Sequence, residues 1–162
     1  MVVRLTEVEA YGGADDPASH AHRGRTPRTL PMFDTEGTLY VYRSYGIHWC
    51  MNVVVGPVGQ GAAVLVRAGA IVAGLDTIRQ RRGRSDHETD GPGKVCQALG
   101  VDGAMDGSSV LCSGPVQLSE ESMDVGPIEA MPRVGITKAA EFAWRFVAVG
   151  TSDDQQMGRL RG

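Results

Sequence analysis

Long apolar runs are missing from this chain of 162 residues, and its N-terminus has neither the charged nor the apolar region of a secretory leader. The expectation is a soluble, cytoplasmic protein with no membrane role, nucleoid-associated if bacterial. Cysteine is scarce as well. Cys50, Cys96 and Cys112 are odd in number and lack metal-site spacing, so neither a disulfide framework nor zinc is indicated, and a reducing compartment suits them. Lysine is nearly absent, with only Lys94 and Lys138 present. The stretch Gly-Pro-Gly-Lys at 91–94 lacks the full phosphate-loop spacing, which argues against nucleotide hydrolysis. There are no internal repeats and no composition shift marking a domain boundary. No metal and no cofactor are expected.

What is present is enough for one globular domain with a real core, since 42% of the residues are hydrophobic. A net charge of −3 and a pI near 5.8 argue mildly against nucleic acid. The local distribution argues the other way. Arg23, Arg25 and Arg28 follow His20 with no acid among them, and Arg79, Arg81, Arg82 and Arg84 form a second cluster. Such clusters lie on solvated faces more often than on phosphates, so charge alone leaves the partner open.

Residues 37–55 organise the rest. Leu39, Tyr40, Val41 and Tyr42 alternate aliphatic and aromatic with the period of a strand, so Tyr40 and Tyr42 point the same way. Arg43-Ser-Tyr-Gly46 reads as a tight turn with Gly46 free to take a positive φ, and 47–55 as the returning strand. Tyr45 then stands at a hairpin tip as a possible wedge. Two tyrosines on one face, with Asn52 on the partner strand, suit a slot for a flat ring.

The first strand is expected over 2–10, with Val3, Leu5, Glu7 and Glu9 on one face. Glu9 on that face is either a strand-end glutamate reaching solvent or a carboxylate held at a pocket rim as a general base. Asp15 or Asp16 before Pro17 suits a helix N-cap, followed by a short helical turn bearing His20. The proline-broken segment beyond it, with Met32 and Phe33 tucked inward, places functional groups more readily than it builds a scaffold. A strand over 62–68 contains Arg67, which needs a carboxylate or phosphate partner if buried; Glu7 and Glu9 are the structural candidates. Ile71, Leu75 and Ile78 have helical spacing, predicting a helix over 70–82 with a basic C-terminal end. A polar loop over 84–90 precedes a helix ending at Gly100. Short strands are expected over 110–118, 126–129 and 144–149, with a loop or edge over 133–138.

Nine blocks in this sequence resemble one known family. They are Val-Glu-Ala-Tyr (8–11), Asp-Pro-Ala-Ser-His (16–20), Arg-Gly-Arg-Thr-Pro-Arg (23–28), Met-Phe (32–33), Leu-Tyr-Val-Tyr (39–42), Tyr-Gly-Ile-His-Trp-Cys-Met-Asn (45–52), Val-Leu-Val-Arg-Ala (64–68), Lys-Val-Cys-Gln-Ala-Leu-Gly (94–100) and Arg-Val-Gly-Ile (133–136). Together, and in this order, they are similar to the alkyladenine (3-methyladenine) DNA glycosylases. Nine collinear blocks are far more specific than any single motif.

The resemblance implies a mixed α+β fold: a single compact domain over 1–150 with a curved, largely antiparallel sheet, flanking helices and a protruding hairpin that enters the DNA minor groove. It implies that Glu9 activates water for attack on the sugar, with Arg67 and the backbone carbonyl of Val134 helping to hold that water. Tyr11, His20 and Tyr42 would sandwich and hydrogen-bond the flipped base, Tyr40 would support them, Asn52 would exclude guanine, and Tyr45 would fill the gap in the stack. Arg23, Arg25 and Arg28 are candidate backbone contacts. The implied partner is double-stranded DNA with alkylated bases, met by a monomer. The chain departs from the family at both ends, since a helix and a strand usually precede the first block, and 151–162 reads as a polar, disordered tail. The segment over 84–91 is also short for the family. A damage-binding relative without activity, and a tyrosine-stacking nucleic-acid module, are the competing functions.

Overall fold

Strand-forming sequence dominates this chain, and in the computed structural model, which describes residues 1–111, 114–119 and 126–150, it builds one six-stranded sheet. The strands are β1 (Val2–Tyr11), β2 (Leu39–Ser44), β3 (His48–Val55), β4 (Ala62–Ala73), β5 (Ile128–Met131) and β6 (Arg145–Ala148). They lie in the order β2-β3-β4-β1-β6-β5, and every neighbouring pair is antiparallel. Two helices, α1 (Leu75–Arg82) and α2 (Pro92–Leu99), complete a mixed α+β fold with an open sheet. The expected tail over 151–162 and part of the strand expected over 110–118 fall outside the described residues.

The period-two pattern divides the core between the two faces of the sheet. Leu39, Val41, Met51 and Val66 meet Val95 and Cys96 of α2 on one face. Tyr40, Val54 and Ala63 meet Ala21, Met32 and Phe33 on the other, where the irregular segment after β1 folds into short 3-10 turns. The face under α2 is scaffold. The face under the irregular segment carries the tyrosines.

Proline and glycine set the ends of α2. Pro92 fills its first turn, where a missing N–H is harmless, and Gly100 takes the left-handed φ of 75° that closes the helix. Val95 and Ala98 are buried and Leu99 is partly so, the three residues that the sequence predicts to face inward, and Cys96 is buried beside them.

Three expectations are corrected. The helix expected over 70–82 starts only at Leu75, because β4 runs through Ala73 and pairs Ile71 with Val3; Gly74, with φ 87°, makes the break. Asp16 is not a helix N-cap; its carboxylate accepts from the backbone N–H groups of Gly12 and Ala18 inside a turn. The described part of 110–118 forms no strand. Instead the loop before it covers the outer edge of β2, where Leu39 N–H donates to Ser108 O and Val41 N–H donates to the Asp106 carboxylate.

The pairing of β1 with β4 is irregular where it carries the charged residues. Its register slips at Leu5/Glu7 and again at Glu7/Val8, so that Glu7 opposes Ala68, Val8 opposes Val66, and Arg67 is the extra residue between them. Glu7 and Glu9 both reach it.

Candidate active site

The tyrosine face opens into a cavity of about 610 Å³ whose walls include Tyr11, His20, Tyr42, Asn52, Arg67 and Val134, with Arg28 and Tyr45 at its margin. These residues come from β1, the irregular segment, both strands of the hairpin, β4 and the loop before β6. Every residue expected at the base pocket is therefore in one place.

Glu9 lies behind this wall. Its side chain is 0% exposed, which overturns the reading of a strand-end glutamate reaching solvent. Three donors offset the burial: Tyr11 OH at 3.1 Å and Arg67 Nη1 at 2.9 Å meet Oε2, and the Val134 N–H at 2.8 Å meets Oε1. The contact shown for Val134 is thus through its amide, whereas the sequence reading assigned its carbonyl. Oε1 keeps acceptor capacity, since among the described residues it receives one donor where a carboxylate oxygen can accept two.

Arg67 joins two carboxylates. Its Nε donates to Glu7 Oε1 at 2.7 Å while Nη1 serves Glu9, and Arg145 Nη1 also reaches Glu7, at 3.3 Å. Burial works against the Arg67 charge, but Glu7 and Glu9 more than offset it and hold the guanidinium above its usual range. Burial also pushes the Tyr11 phenol well up, and the neighbouring Glu9 adds to the effect. Tyr11 therefore stays protonated and donates to Glu9.

The rings assemble as the strand period requires. Tyr40 and Tyr42 stack with centroids 5.5 Å apart, and His20 meets Tyr42 edge-on at 4.5 Å. Nδ1 of His20 lies 3.0 Å from the Tyr40 hydroxyl. Burial of the imidazole, aided by the positive charge of Arg28, lowers its pKa, so it is neutral at physiological pH. Burial raises the Tyr42 phenol far above its ordinary value. Asn52 is buried and donates through Nδ2 to Tyr40 O at 3.2 Å, which fixes its amide beside the rings.

At the hairpin tip the turn is displaced from expectation. Strand β2 continues through Ser44, and the chain reverses over 45–47, closed by Ile47 N–H donating to Ser44 O at 3.0 Å. Gly46 takes a positive φ as expected, but so does Tyr45, at 50°, a conformation that disfavours a side chain. Tyr45 is 91% exposed.

Arg23, Arg25 and Arg28 are all exposed, and Arg28 alone of the three borders the cavity; Arg25 lies over the Phe33 ring and Arg28 over the Tyr42 ring at 5.5 Å. The second basic cluster has structural partners instead: Arg79 pairs with Glu88, Arg84 with Asp86, Arg82 with the Gln97 side chain, and Arg81 donates to Ala98 O. Its position at the C-terminal end of α1 needs no ligand.

Sequence reasoning missed the partnership of Asp16 with Arg133. Both side chains are fully buried and form a bidentate ion pair, at 2.5 and 2.9 Å. The Arg133 guanidinium lies 5.1 Å from the centroid of the Tyr11 ring. The only hint in the sequence is an arginine adjoining Val134, and nothing local connects it to residue 16. Among the described residues no cluster of His, Cys, Asp and Glu is arranged to hold a metal ion, and no helix is long and apolar enough to cross a membrane.

Comparison with known proteins adds a further finding. The profile of the family described as "Methylpurine-DNA glycosylase (MPG)" matches residues 1–152. A protein of Frankia casuarinae named "Putative 3-methyladenine DNA glycosylase" is 47% identical, the match covering 93% of this chain and 77% of the relative. Proteins with the same name from Nitrosospira multiformis, 47% identical over 91% of this chain and 76% of theirs, and from Granulibacter bethesdensis, 50% identical over 88% and 68%, are similarly related.

Proposed function

The chain belongs to the methylpurine-DNA glycosylase family, and from that membership we propose that it is a monofunctional DNA N-glycosylase acting as a monomer on double-stranded DNA. It flips alkylated purines of the 3-methyladenine type out of the helix and hydrolyses their N-glycosidic bond with a water activated by Glu9, leaving an abasic site. The observation that carries this reading is the environment of Glu9: a fully buried carboxylate, held by Tyr11, Arg67 and the Val134 amide, directly behind a cavity lined by aromatic rings.

The chemistry suits these groups. Breaking the bond to the base develops positive charge on the sugar, which a fixed carboxylate stabilises while its free lone pair orients the attacking water. Arg67, on the cavity wall and braced by Glu7, is placed to meet that water and the phosphate of the flipped nucleotide. The carbonyl of Val134 assists from the same wall.

Selection is electronic first. Alkylation at N3 or N7 makes the base cationic and a better leaving group, and stacking it between Tyr11 and Tyr42 contributes ~1 to 2 kcal/mol of cation–π attraction in a desolvated slot. A base whose pairing is already weak also costs less to flip. Neutral His20 presents no opposing charge to a cationic ring. The buried amide of Asn52 narrows the slot against the 2-amino group of guanine, and Tyr45 fills the space the base vacates.

Neither Lys94, which pairs with Asp90, nor Lys138 lines the cavity, which supports hydrolysis over an amine-linked, strand-cleaving route. The test is incubation with a duplex carrying one alkylated purine. Free base should be released, and the strand should break only after alkali. Strand breaks before alkali would contradict the monofunctional assignment, and no release from any alkylated purine would contradict the excision itself.

A further inference from the structure

Arg133 does not line the cavity and does not bond Glu9, yet it connects three of the segments that surround them. Its Nη1 donates to Asp16 Oδ2 and, at 3.2 Å, to Ala10 O, the carbonyl between Glu9 and Tyr11 on β1. Its Nη2 donates to Asp16 Oδ1 and, at 2.9 Å, to Ala139 O in the loop beyond Val134. The guanidinium also lies 5.1 Å from the Tyr11 and Trp144 ring centroids and 5.7 Å from that of Phe142. One cation thus ties β1, the turn after it and the loop before β6 to a single point.

Two of the three donors to Glu9 hang from that point. Val134, whose N–H meets Oε1, is the next residue in the chain, and the Tyr11 ring, whose hydroxyl meets Oε2, packs on the guanidinium. Fold stability alone does not call for such a pair, because well-packed apolar residues commonly replace a buried ion pair without loss. An arginine fork fixed by a bidentate carboxylate does supply rigid placement.

The geometry points to Arg133 and Asp16 as positioning residues for excision: their ion pair sets the Val134 N–H and the Tyr11 hydroxyl on the carboxylate of Glu9. This rests on the reading of Glu9 as the reacting base. Small displacements of a catalytic group lower rates by up to about a hundredfold, so the effect should appear in the chemical step and not in lesion binding.

The experiment uses the full chain in four forms beside wild type: Asp16→Asn, the double variant Asp16→Asn/Arg133→Gln, Arg133→Lys and Glu9→Gln. For each, single-turnover excision and affinity are measured on a duplex with one alkylated purine, together with the melting temperature and the NMR shift of the Val134 amide proton. Asp16→Asn leaves a buried cation unpaired and should melt lowest. The double variant removes both charges and should recover melting, yet excise roughly 10- to 100-fold more slowly with affinity held within about twofold and the Val134 proton moved upfield. Recovery of wild-type excision along with melting would overturn the proposal and leave a purely structural pair. Should the double variant not fold, Arg133→Lys decides: it keeps the charge and loses the fork, and a wild-type rate with an unmoved Val134 proton would equally overturn it. Retained excision in Glu9→Gln would instead remove the underlying reading of Glu9, which the Val134 shift in the other variants does not depend on.

Discussion

Tyr45→Ala removes a side chain that is 91% exposed and held at a φ of 50° on the hairpin tip. Because almost none of it is buried, folding stability should change by no more than about 0.5 kcal/mol. The effect on excision should be far larger. An aromatic side chain inserted into a base stack removes roughly 150 Å² from water, and at ~25 cal/mol per Å² this sets an upper bound near 4 kcal/mol. With partial collapse of the gap in the variant, a loss of about 3 kcal/mol, or roughly a hundredfold in excision of a well-paired lesion, is expected. For a bulged lesion, where no partner must be displaced, the loss should stay below about tenfold. Tyr45→Gly sharpens the test, since relief of the left-handed strain should raise stability by about 1 kcal/mol while excision still falls. Single-turnover rates on paired and bulged duplexes, with melting measured alongside, decide the matter. Equal losses on both substrates, accompanied by a fall in melting temperature, would refute the wedge and make Tyr45 a hairpin support.

Asn52→Ser should open space beside the base and gain excision of normal or alkylated guanine, read as released base by chromatography; no gain with unchanged melting would remove its role in selectivity. With Arg23, Arg25 and Arg28 exposed and Arg28 bordering the cavity, lesion affinity should fall steeply with salt, and replacing one phosphate-contacting arginine should lower the logarithmic slope by about one unit. An affinity independent of salt would count against the duplex as partner. Burial holds the His20 pKa below its ordinary value of 6.5, so the ring is mostly neutral at that pH and gains its proton as pH falls further. Affinity for a cationic lesion should accordingly weaken on acidification below about pH 6.5, and His20→Gln should abolish that component of the profile.

The hairpin was legible because alternation at 39–42 fixes which faces Tyr40 and Tyr42 share, and the observed stacking follows from it. The α2 helix was legible because Pro92 and Gly100 carry their own conformational preferences. Arg67 announced the need for a carboxylate partner, and both candidates bond it. The arrangement of those partners was not legible, since it depends on a double register slip between β1 and β4 that leaves no local signature. Helical spacing of Ile71, Leu75 and Ile78 misled because Ile71 satisfies strand pairing with Val3 equally well. Asp16 and Arg133 lie 117 positions apart, and a pairing made by tertiary folding has no period to detect.

The central claim is that Glu9 supplies the charge and basicity for hydrolysis and is not merely an anchor for Arg67. Glu9→Gln preserves shape and one acceptor oxygen but removes the negative charge, and lesion binding and single-turnover excision are then measured on one duplex carrying a single alkylated purine. The account predicts affinity near that of wild type with a loss of excision of at least about a hundredfold, in the range typical of general-base removal. Near wild-type excision by this variant would contradict it.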